Sequence, residues 1–250
     1  MSAGSSKLAL LRAAIAAAEP LGVRVGLGVE KLDAALAGGV MRGGLHEVFA
    51  APSHEAAATA FVAGLTARLG GPVCWIRQDY AGLEYGELAA TGLFDLGLDP
   101  ARLLLLRVPD AAGALKAAAD ALSTSALGAV VIEIMGAPRQ LDLVAYRRLA
   151  LAAGESGVTA FLLRQAAQSA GIGGAETRWL VRSAPSICDE DWGPPVLEVE
   201  LQRNRHGPAG EWIIAWSCDD GVFRSPDRGA VVLAPSDRSL AAPVAAAGAA

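Results

Sequence analysis

The sequence predicts an α/β protein with a mostly parallel central sheet, flanked by helices, and antiparallel strands near the C-terminus. Short apolar runs of strand length alternate with helix-like segments as far as Arg164, which is typical of a parallel sheet buried on both faces. After a segment rich in Gly, Ser and Ala at 165–175, strands separated by turn residues follow, which indicates antiparallel pairing. We predict a core domain over 29–228, a helix and linker at 1–28, and a disordered Ala- and Pro-rich tail at 229–250.

Composition restricts the classes of function. A chain of 250 residues can bury a substantial core. Its net charge of −5 does not favour nucleic acid as a partner, so we expect direct DNA binding to be weak or absent. No uncharged apolar run reaches the length of about 18 residues that a membrane span needs, and we expect a cytoplasmic protein. The three cysteines fit no disulfide or zinc pattern, so buried, reduced thiols are expected.

An amphipathic helix is predicted at the N-terminus, over Lys7–Glu19. Leu8, Leu11 and Ile15 fall on one of its faces, and Pro20 ends it. A Pro- and Gly-containing linker follows. Two interpretations stay open, since this helix can pack on its own domain or dock on a partner protein.

The remaining elements follow from apolar periodicity and from turn residues. The predicted helices are Leu32–Ala37, Glu55–Leu69, Leu83–Thr91, Ala111–Ser123 (capped by Asp110) and Leu141–Glu155. The predicted strands are Leu45–Ala50, Val73–Arg77, Leu103–Val108, Ala129–Ile134, Val158–Arg164, Thr177–Ala184, Val196–Arg203 and Trp212–Ser217.

The strand–loop–helix unit at Leu45–Leu69 stands where nucleotide-binding α/β domains have their phosphate loop. Such a loop needs glycines, so that backbone N–H groups surround the phosphates, and a Lys followed by Ser or Thr. Here Glu55 replaces the second glycine, and Ala56 and Ala57 replace the lysine and the hydroxyl residue. Ala50 replaces the first glycine, and Ser53 is the one hydroxyl in the loop. No lysine of the chain (7, 31 and 116) follows a glycine, so we predict that the chain has no ATPase chemistry and needs no cofactor or metal.

In this order the elements resemble the RecA/RadA ATPase core, over roughly residues 29–218. The resemblance rests on Lys31–Leu36 with the glycine pairs that follow it, on Leu45–Phe49 and on the turn Asp99–Leu104. Within that superfamily, five segments in order are similar to the ImuA family of SOS-inducible bacterial mutagenesis proteins. They are RGGLHEVFA, GLDPARLLLLRV, SGVTAFLLR, TRWLVRSAPS and LQRNRHGPAGEWIIAW.

The resemblance implies a non-catalytic role in translesion DNA synthesis, with association to the nucleoid after damage. It implies an ImuB-type polymerase homologue as partner, an error-prone replicative-type DNA polymerase as an indirect partner, and a link to RecA. Asp79 and Glu133 correspond to the catalytic and metal-linked acids of the RecA family and are interpreted as remnants. Gln165 falls near the nucleotide-sensing Gln of that family.

Arg203 and Arg205 keep two cations where RecA-like filaments reach into the ATP site of the next protomer. We interpret them as a contact to RecA or, alternatively, as charges that blunt a strand edge. An exposed apolar surface is expected at the C-terminal strands, where Trp212 and Trp216 share a face. Two other functions stay open: a SulA-like inhibitor of cell division, and a weak ATPase that uses Glu133 and Asp79.

Overall fold

A nine-stranded sheet forms the centre of the computed structural model, which describes residues 22–167, 173–186 and 193–226. The strands lie in the order β11-β10-β9-β8-β3-β7-β6-β4-β5, and a separate ribbon pairs β1 with β2. The strands are β1 Arg24–Val25, β2 Val40–Met41, β3 Leu45–Ala50, β4 Val73–Gln78, β5 Leu103–Val108, β6 Ala129–Met135, β7 Thr159–Gln165, β8 Thr177–Ala184, β9 Val196–Asn204, β10 Gly210–Ser217 and β11 Val222–Arg224. The predicted class, an α/β fold with a mostly parallel sheet, is confirmed.

Helices cover both faces of the parallel half of the sheet. They are α1 Glu30–Ala35, α2 Glu55–Leu69, α3 Asp79–Tyr85, α4 Ala90–Asp95, α5 Ala111–Leu122 and α6 Leu143–Ser156. Residues of α1, α2 and α4 share one apolar core with β8–β11, whereas α5 and α6 share a second core on the opposite face. Asp110 caps α5 as predicted, because its carboxylate accepts the N–H of Gly113 at 2.8 Å.

Helix α2 is deeply buried, and a glycine lets it approach the C-terminal strands. All six residues of β3 are buried, and both predicted boundaries of the β3–α2 unit are correct. A Cβ at Gly64 would lie 2.7 Å from the ring of Phe223 and 2.9 Å from that of Trp216. Two aromatic rings therefore occupy the space of the missing side chain.

The single helix predicted over Leu83–Thr91 is wrong. The chain forms two short helices there, α3 and α4, separated by Gly86 with a φ of +77°. A residue in this left-handed region ends a helix. The apolar spacing alone did not reveal this stop.

The C-terminal strands differ from the prediction in two respects. Strand β8 runs parallel to β3 and antiparallel only to β9, so it joins the two halves of the sheet. Trp216 is buried and donates its indole N–H to the carbonyl oxygen of Asp95 at 2.8 Å, and Trp212 packs partly buried against the same core. The expectation that these two rings form an exposed surface is therefore wrong.

Most of the large exposed apolar residues in the described part of the chain lie outside the C-terminal strands, and three of them lie on the edge strand β5. Leu104, Leu105 and Leu106 are 60%, 38% and 39% exposed, and β5 pairs only with β4 among the described strands. Arg107 follows them and forms ion pairs with Asp79 and Glu87. Charge at the end of an open edge is a common protection against unwanted strand pairing.

The predicted N-terminal helix and C-terminal tail lie outside the described residues. Of the predicted linker, residues 22–28 are described. Leu27 of this linker is fully buried, and the carboxylate of Asp33 accepts the N–H groups of Leu27 at 2.6 Å and Gly28 at 3.0 Å.

Cys74 is buried, but Cys218 is exposed, which corrects the expectation of buried thiols. In the described part of the chain, no helix is long and apolar enough to cross a membrane.

Candidate functional site at the loop between β3 and α2

The loop Ala51–His54 joins β3 to α2 and stands where a phosphate loop would lie. Its backbone N–H groups are already used within the fold: Ala51 donates to the carbonyl oxygen of Val181 at 3.1 Å, and His54 donates to that of Ala51 at 2.9 Å. Pro52 has no N–H. In the loop itself, only the amide of Ser53 is left for a ligand, too few donors to surround a triphosphate.

The imidazole of His54 fastens this loop to the end of β8. Its Nδ1 accepts the backbone N–H of Ser183 at 3.1 Å and lies 2.7 Å from the hydroxyl oxygen of the same residue. Ser53 adopts a φ of +66°, which is uncommon for a residue other than glycine. The loop therefore has a fixed shape set by contacts to β8.

The side chains at the remaining phosphate-loop positions offer neither a cation nor a hydroxyl. Ala50 and Ala57 are buried in the core, Ala56 is exposed, and Glu55 begins α2. A carboxylate in the first turn is favoured by the helix dipole but repels an incoming phosphate. The structure thus brings the predicted positions together, and Ser53 has the only side chain among them that could donate to a phosphate.

Glu133, the predicted metal-linked acid, is only 1% exposed and is neutralised within the chain. Its Oε2 lies 3.0 Å from Arg77 Nε and accepts the indole N–H of Trp75 at 3.0 Å. Arg77 also donates to the carbonyl oxygens of Gly86 at 2.7 Å and Ala81 at 3.2 Å. Arg77 therefore balances the negative charge of Glu133, as a bound metal ion would do in a metal site. Among the described residues, no group of three or more potential ligands could hold a metal ion.

Asp79, the other predicted acid, is held in a different ion pair. It begins α3, is more than half exposed, and lies 3.1 Å from Arg107 Nε. Asp79 and Glu133 are therefore paired with different arginines of the chain.

Negative charge accumulates around Tyr85, at the end of α3. Burial raises the pKa of the Tyr85 hydroxyl, and the carboxylates of Glu55, Glu84 and Glu133 raise it further. Gln165 is buried, and its amide donates to the hydroxyl of Thr59 at 3.2 Å, which ties β7 to α2.

Known proteins resemble this chain in sequence and in fold. No protein-family model matches the chain. Protein ImuA of Caulobacter vibrioides, recorded in two strains, is 38% identical over 196 residues, which span 71% of this chain and 76% of the relative. The chain belongs to the ImuA family. The family predicted from the sequence segments is thereby confirmed.

A crystal structure of the RadB recombinase resembles this ImuA-family chain, with a TM-score of 0.58 and 15% identity. The match covers 80% of this chain and 99% of the recombinase. At that identity the likeness shows the fold alone, and it confirms the RecA-like core.

A buried charged cluster that is absent from the predicted sites lies on the face of β3 that α6 covers. Glu47, fully buried, lies 2.8 Å from Arg178 Nε and 3.4 Å from an Arg164 nitrogen, and the Tyr146 hydroxyl donates to it. Both guanidinium groups also lie over the ring of Phe49, with that of Arg164 5.3 Å and that of Arg178 5.7 Å from the ring centroid. Burial and the negative charge of Glu47 raise the pKa of Tyr146 well above its ordinary value.

A signal for this cluster exists in the sequence. Glu47 interrupts an otherwise apolar strand, and charged residues that deep are almost always paired. Its partners could not be named in advance, because the pairing of Glu47 with Arg178 depends on the register between β3 and β8.

The two predicted contact arginines of this ImuA-family chain lie at the end of β9 and just beyond it. Arg203 donates to the carbonyl oxygen of Gly173, and Arg205 lies 3.2 Å from Glu176 Oε1. The imidazole of His206 also contacts Glu176, at 2.9 Å. Both arginines are exposed, yet they help to hold the segment 173–176. Leu8, Leu11 and Ile15, the other predicted contacts, lie outside the described residues.

Proposed function

We propose that this chain is a non-catalytic accessory protein of error-prone translesion DNA synthesis, induced by DNA damage, that works through contacts with other proteins. The observation that carries the proposal is the loop Ala51–His54, which leads into Glu55 and in which the amides of Ala51 and His54 are used within the fold while Pro52 has none. A RecA-like sheet without phosphate-binding groups suits protein binding better than ATP hydrolysis. Membership of the ImuA family supports the process.

The main partner in this proposal is an ImuB-type polymerase homologue, through which the chain meets an error-prone replicative-type DNA polymerase indirectly. The N-terminal apolar positions Leu8, Leu11 and Ile15 are proposed to contribute to the contact. Replacing Leu8 and Leu11 by Glu would then weaken co-purification of the two proteins. The chain itself is proposed to reach the nucleoid after damage as part of this complex, with no DNA-binding site of its own.

RecA is a second partner, proposed to be bound through Arg203 and Arg205. Guanidinium groups suit phosphate recognition because they form two parallel hydrogen bonds. The test is gel filtration with RecA, with and without ATPγS and single-stranded DNA. Co-elution only with nucleotide-loaded RecA, abolished by Arg203→Ala with Arg205→Ala, supports this contact. Binding that the double variant leaves unchanged would contradict it.

The function itself is tested by damage-induced mutagenesis in cells that lack the gene and carry a plasmid copy. The wild type and Asp79→Asn should restore mutagenesis equally, because a non-catalytic protein does not use this exposed acid. Glu133→Gln, checked by thermal melting for folding, should also act like the wild type where it folds. If the two variants fold and mutagenesis is lost, the weak ATPase becomes the better assignment.

Two further readouts separate the alternatives. A fluorescent ATP analogue at millimolar concentration should show no saturable binding to the purified chain. Overexpression should leave cell length unchanged, whereas a SulA-like inhibitor of division would produce filaments.

A further inference from the structure

The arginines of this chain fall into two groups. Most of the described ones donate to a carbonyl oxygen or pair with a carboxylate of the chain itself. Arg139, Arg147 and Arg148 are exposed and have no such partner within residues 22–167, 173–186 and 193–226. Arg147 and Arg148 lie on α6, and Arg139 lies in the turn that leads into it.

Exposed aliphatic side chains surround these cations. Leu143, Val144 and Leu151 are 42%, 53% and 62% exposed, although they share α6 with the arginines. Leu143, Arg147 and Leu151 are spaced by four residues and therefore line one side of the helix. The core face of α6 is formed by other residues, Tyr146, Leu149 and Ala153. We call the group Arg139, Leu143, Val144, Arg147, Arg148 and Leu151 the α6 surface.

The acids near this surface leave its positive charge largely intact. Asp142 is the N-cap of α6, and its carboxylate accepts the N–H of Ala145 at 2.8 Å. Glu155 lies one turn beyond Leu151, at the C-terminal end of the helix. The middle of the helix therefore presents two arginines between aliphatic side chains, in a chain whose net charge is −5.

We propose that the α6 surface is a docking site for an acidic, amphipathic segment of a partner protein. The inference rests on the proposed function, in which the chain works through protein contacts. Carboxylates of the segment would pair with the guanidinium groups, and its apolar side chains would cover Leu143, Val144 and Leu151. None of the six side chains is aromatic, so the surface lacks the aromatic rings on which bases stack in most single-strand binders, and its aliphatic groups gain nothing from phosphates. Protein is therefore favoured over nucleic acid.

The first experiment measures the affinity of the purified full chain for the ImuB-type polymerase homologue of the same bacterium. Arg147→Glu with Arg148→Glu should weaken binding by about tenfold or more, as expected when close interfacial charge pairs become repulsive. The control is Lys31→Glu with Arg224→Glu, which changes the net charge equally at exposed sites outside α6 and should bind like the wild type. If the wild type does not bind, the proposed partnership fails. If it binds and the α6 variant binds equally well, the docking site is refuted.

The second experiment decides the docking site even where that partnership fails. A photo-crosslinking amino acid replaces Leu151 of the full chain in damaged cells, and Leu83, which is 82% exposed on α3, carries it in the control. Crosslinks at position 151, mapped by mass spectrometry to an acidic segment that contains apolar residues, support the proposal. Crosslinks no more frequent than at position 83, or directed to DNA or to a basic segment, would overturn it.

Discussion

Arg77 and Glu133 form a buried ion pair across β4 and β6, with Arg77 Nε 3.0 Å from Glu133 Oε2 and both side chains less than 5% exposed. The pair stands at the carboxyl-terminal part of these strands, where an ATPase of this fold would place a metal-linked acid. The other carboxylate oxygen of Glu133 has no hydrogen-bond partner among the described residues. Within the described residues, Arg77 is therefore the counter-ion of this buried carboxylate.

Arg77→Met should destabilise the fold by about 3–5 kcal/mol, because it leaves the carboxylate of Glu133 buried without its counter-ion. The double variant Arg77→Met with Glu133→Gln should lose clearly less, since it removes both charges. Urea unfolding at pH 7 measures the free energy of each variant. The half-exposed pair Arg182–Glu198 offers the control, and Arg182→Met should have a much smaller effect. Equal losses for Arg77→Met and Arg182→Met would contradict this account.

Restoring phosphate-loop residues should not restore nucleotide binding. A variant with Glu55→Gly, Ala56→Lys and Ala57→Thr supplies the second glycine, the lysine and the hydroxyl. It leaves the amides of Ala51 and His54 bonded to Val181 and Ala51, and it leaves Pro52 without an N–H.

We therefore expect no saturable binding of a fluorescent ATP analogue by this variant at millimolar concentration. A further variant with Pro52→Gly and Ser53→Gly added shows whether the loop backbone is the obstacle. Binding of the ATP analogue by the first variant would contradict this, because it would show that the three replaced side chains, and not the loop backbone, prevent nucleotide binding.

The packing of α2 against the C-terminal strands can be tested at its glycine. In a helix interior, alanine is more stable than glycine by about 1 kcal/mol. Gly64→Ala should nevertheless destabilise the fold by about 1–3 kcal/mol, because its methyl group would overlap the rings of Phe223 and Trp216. Gly154 of α6 is the matched control, since a Cβ there would meet nothing within 4 Å. Gly154→Ala should stabilise the fold slightly. Thermal melting of both variants measures the difference, and the same sign of shift for both would contradict the prediction.

Local features of the fold could be predicted from the sequence, whereas features that join distant residues could not. The bounds of β3 and α2 followed from an apolar run and from an alanine-rich segment of helix length, and they are correct. The absence of a phosphate-binding lysine was visible in the same way. Ion pairs such as Arg77–Glu133 join residues of different strands, so they depend on strand order and register, which no local pattern specifies. The burial of Trp216 likewise depends on how α2 and α4 cover β10.

A buried histidine should make the stability of the fold depend on pH. His46 is fully buried; its Nε2 lies 2.9 Å from the carbonyl oxygen of Met41, which only accepts, so Nε2 carries the proton. Its Nδ1 lies 2.8 Å from the hydroxyl oxygen of Thr177 and therefore accepts the proton of that hydroxyl. The same hydroxyl oxygen accepts the indole N–H of Trp179. Burial, with a smaller contribution from the charge of Arg24, lowers the pKa of His46 to about 4 from an ordinary value of 6.5.

The stabilisation that neutral His46 provides should therefore be complete above pH 6.5 and lost as the pH falls towards 4, because the unfolded chain takes up a proton in this range and the folded chain does not. A shift of this size corresponds to about 3 kcal/mol over that range. Urea unfolding at several pH values between 4.5 and 7.5 measures it, with His46→Gln as the comparison. Other groups titrate in both proteins, so the difference between their slopes isolates His46. The wild type should lose stability more steeply than the variant on acidification, and parallel slopes would show that His46 does not carry the effect.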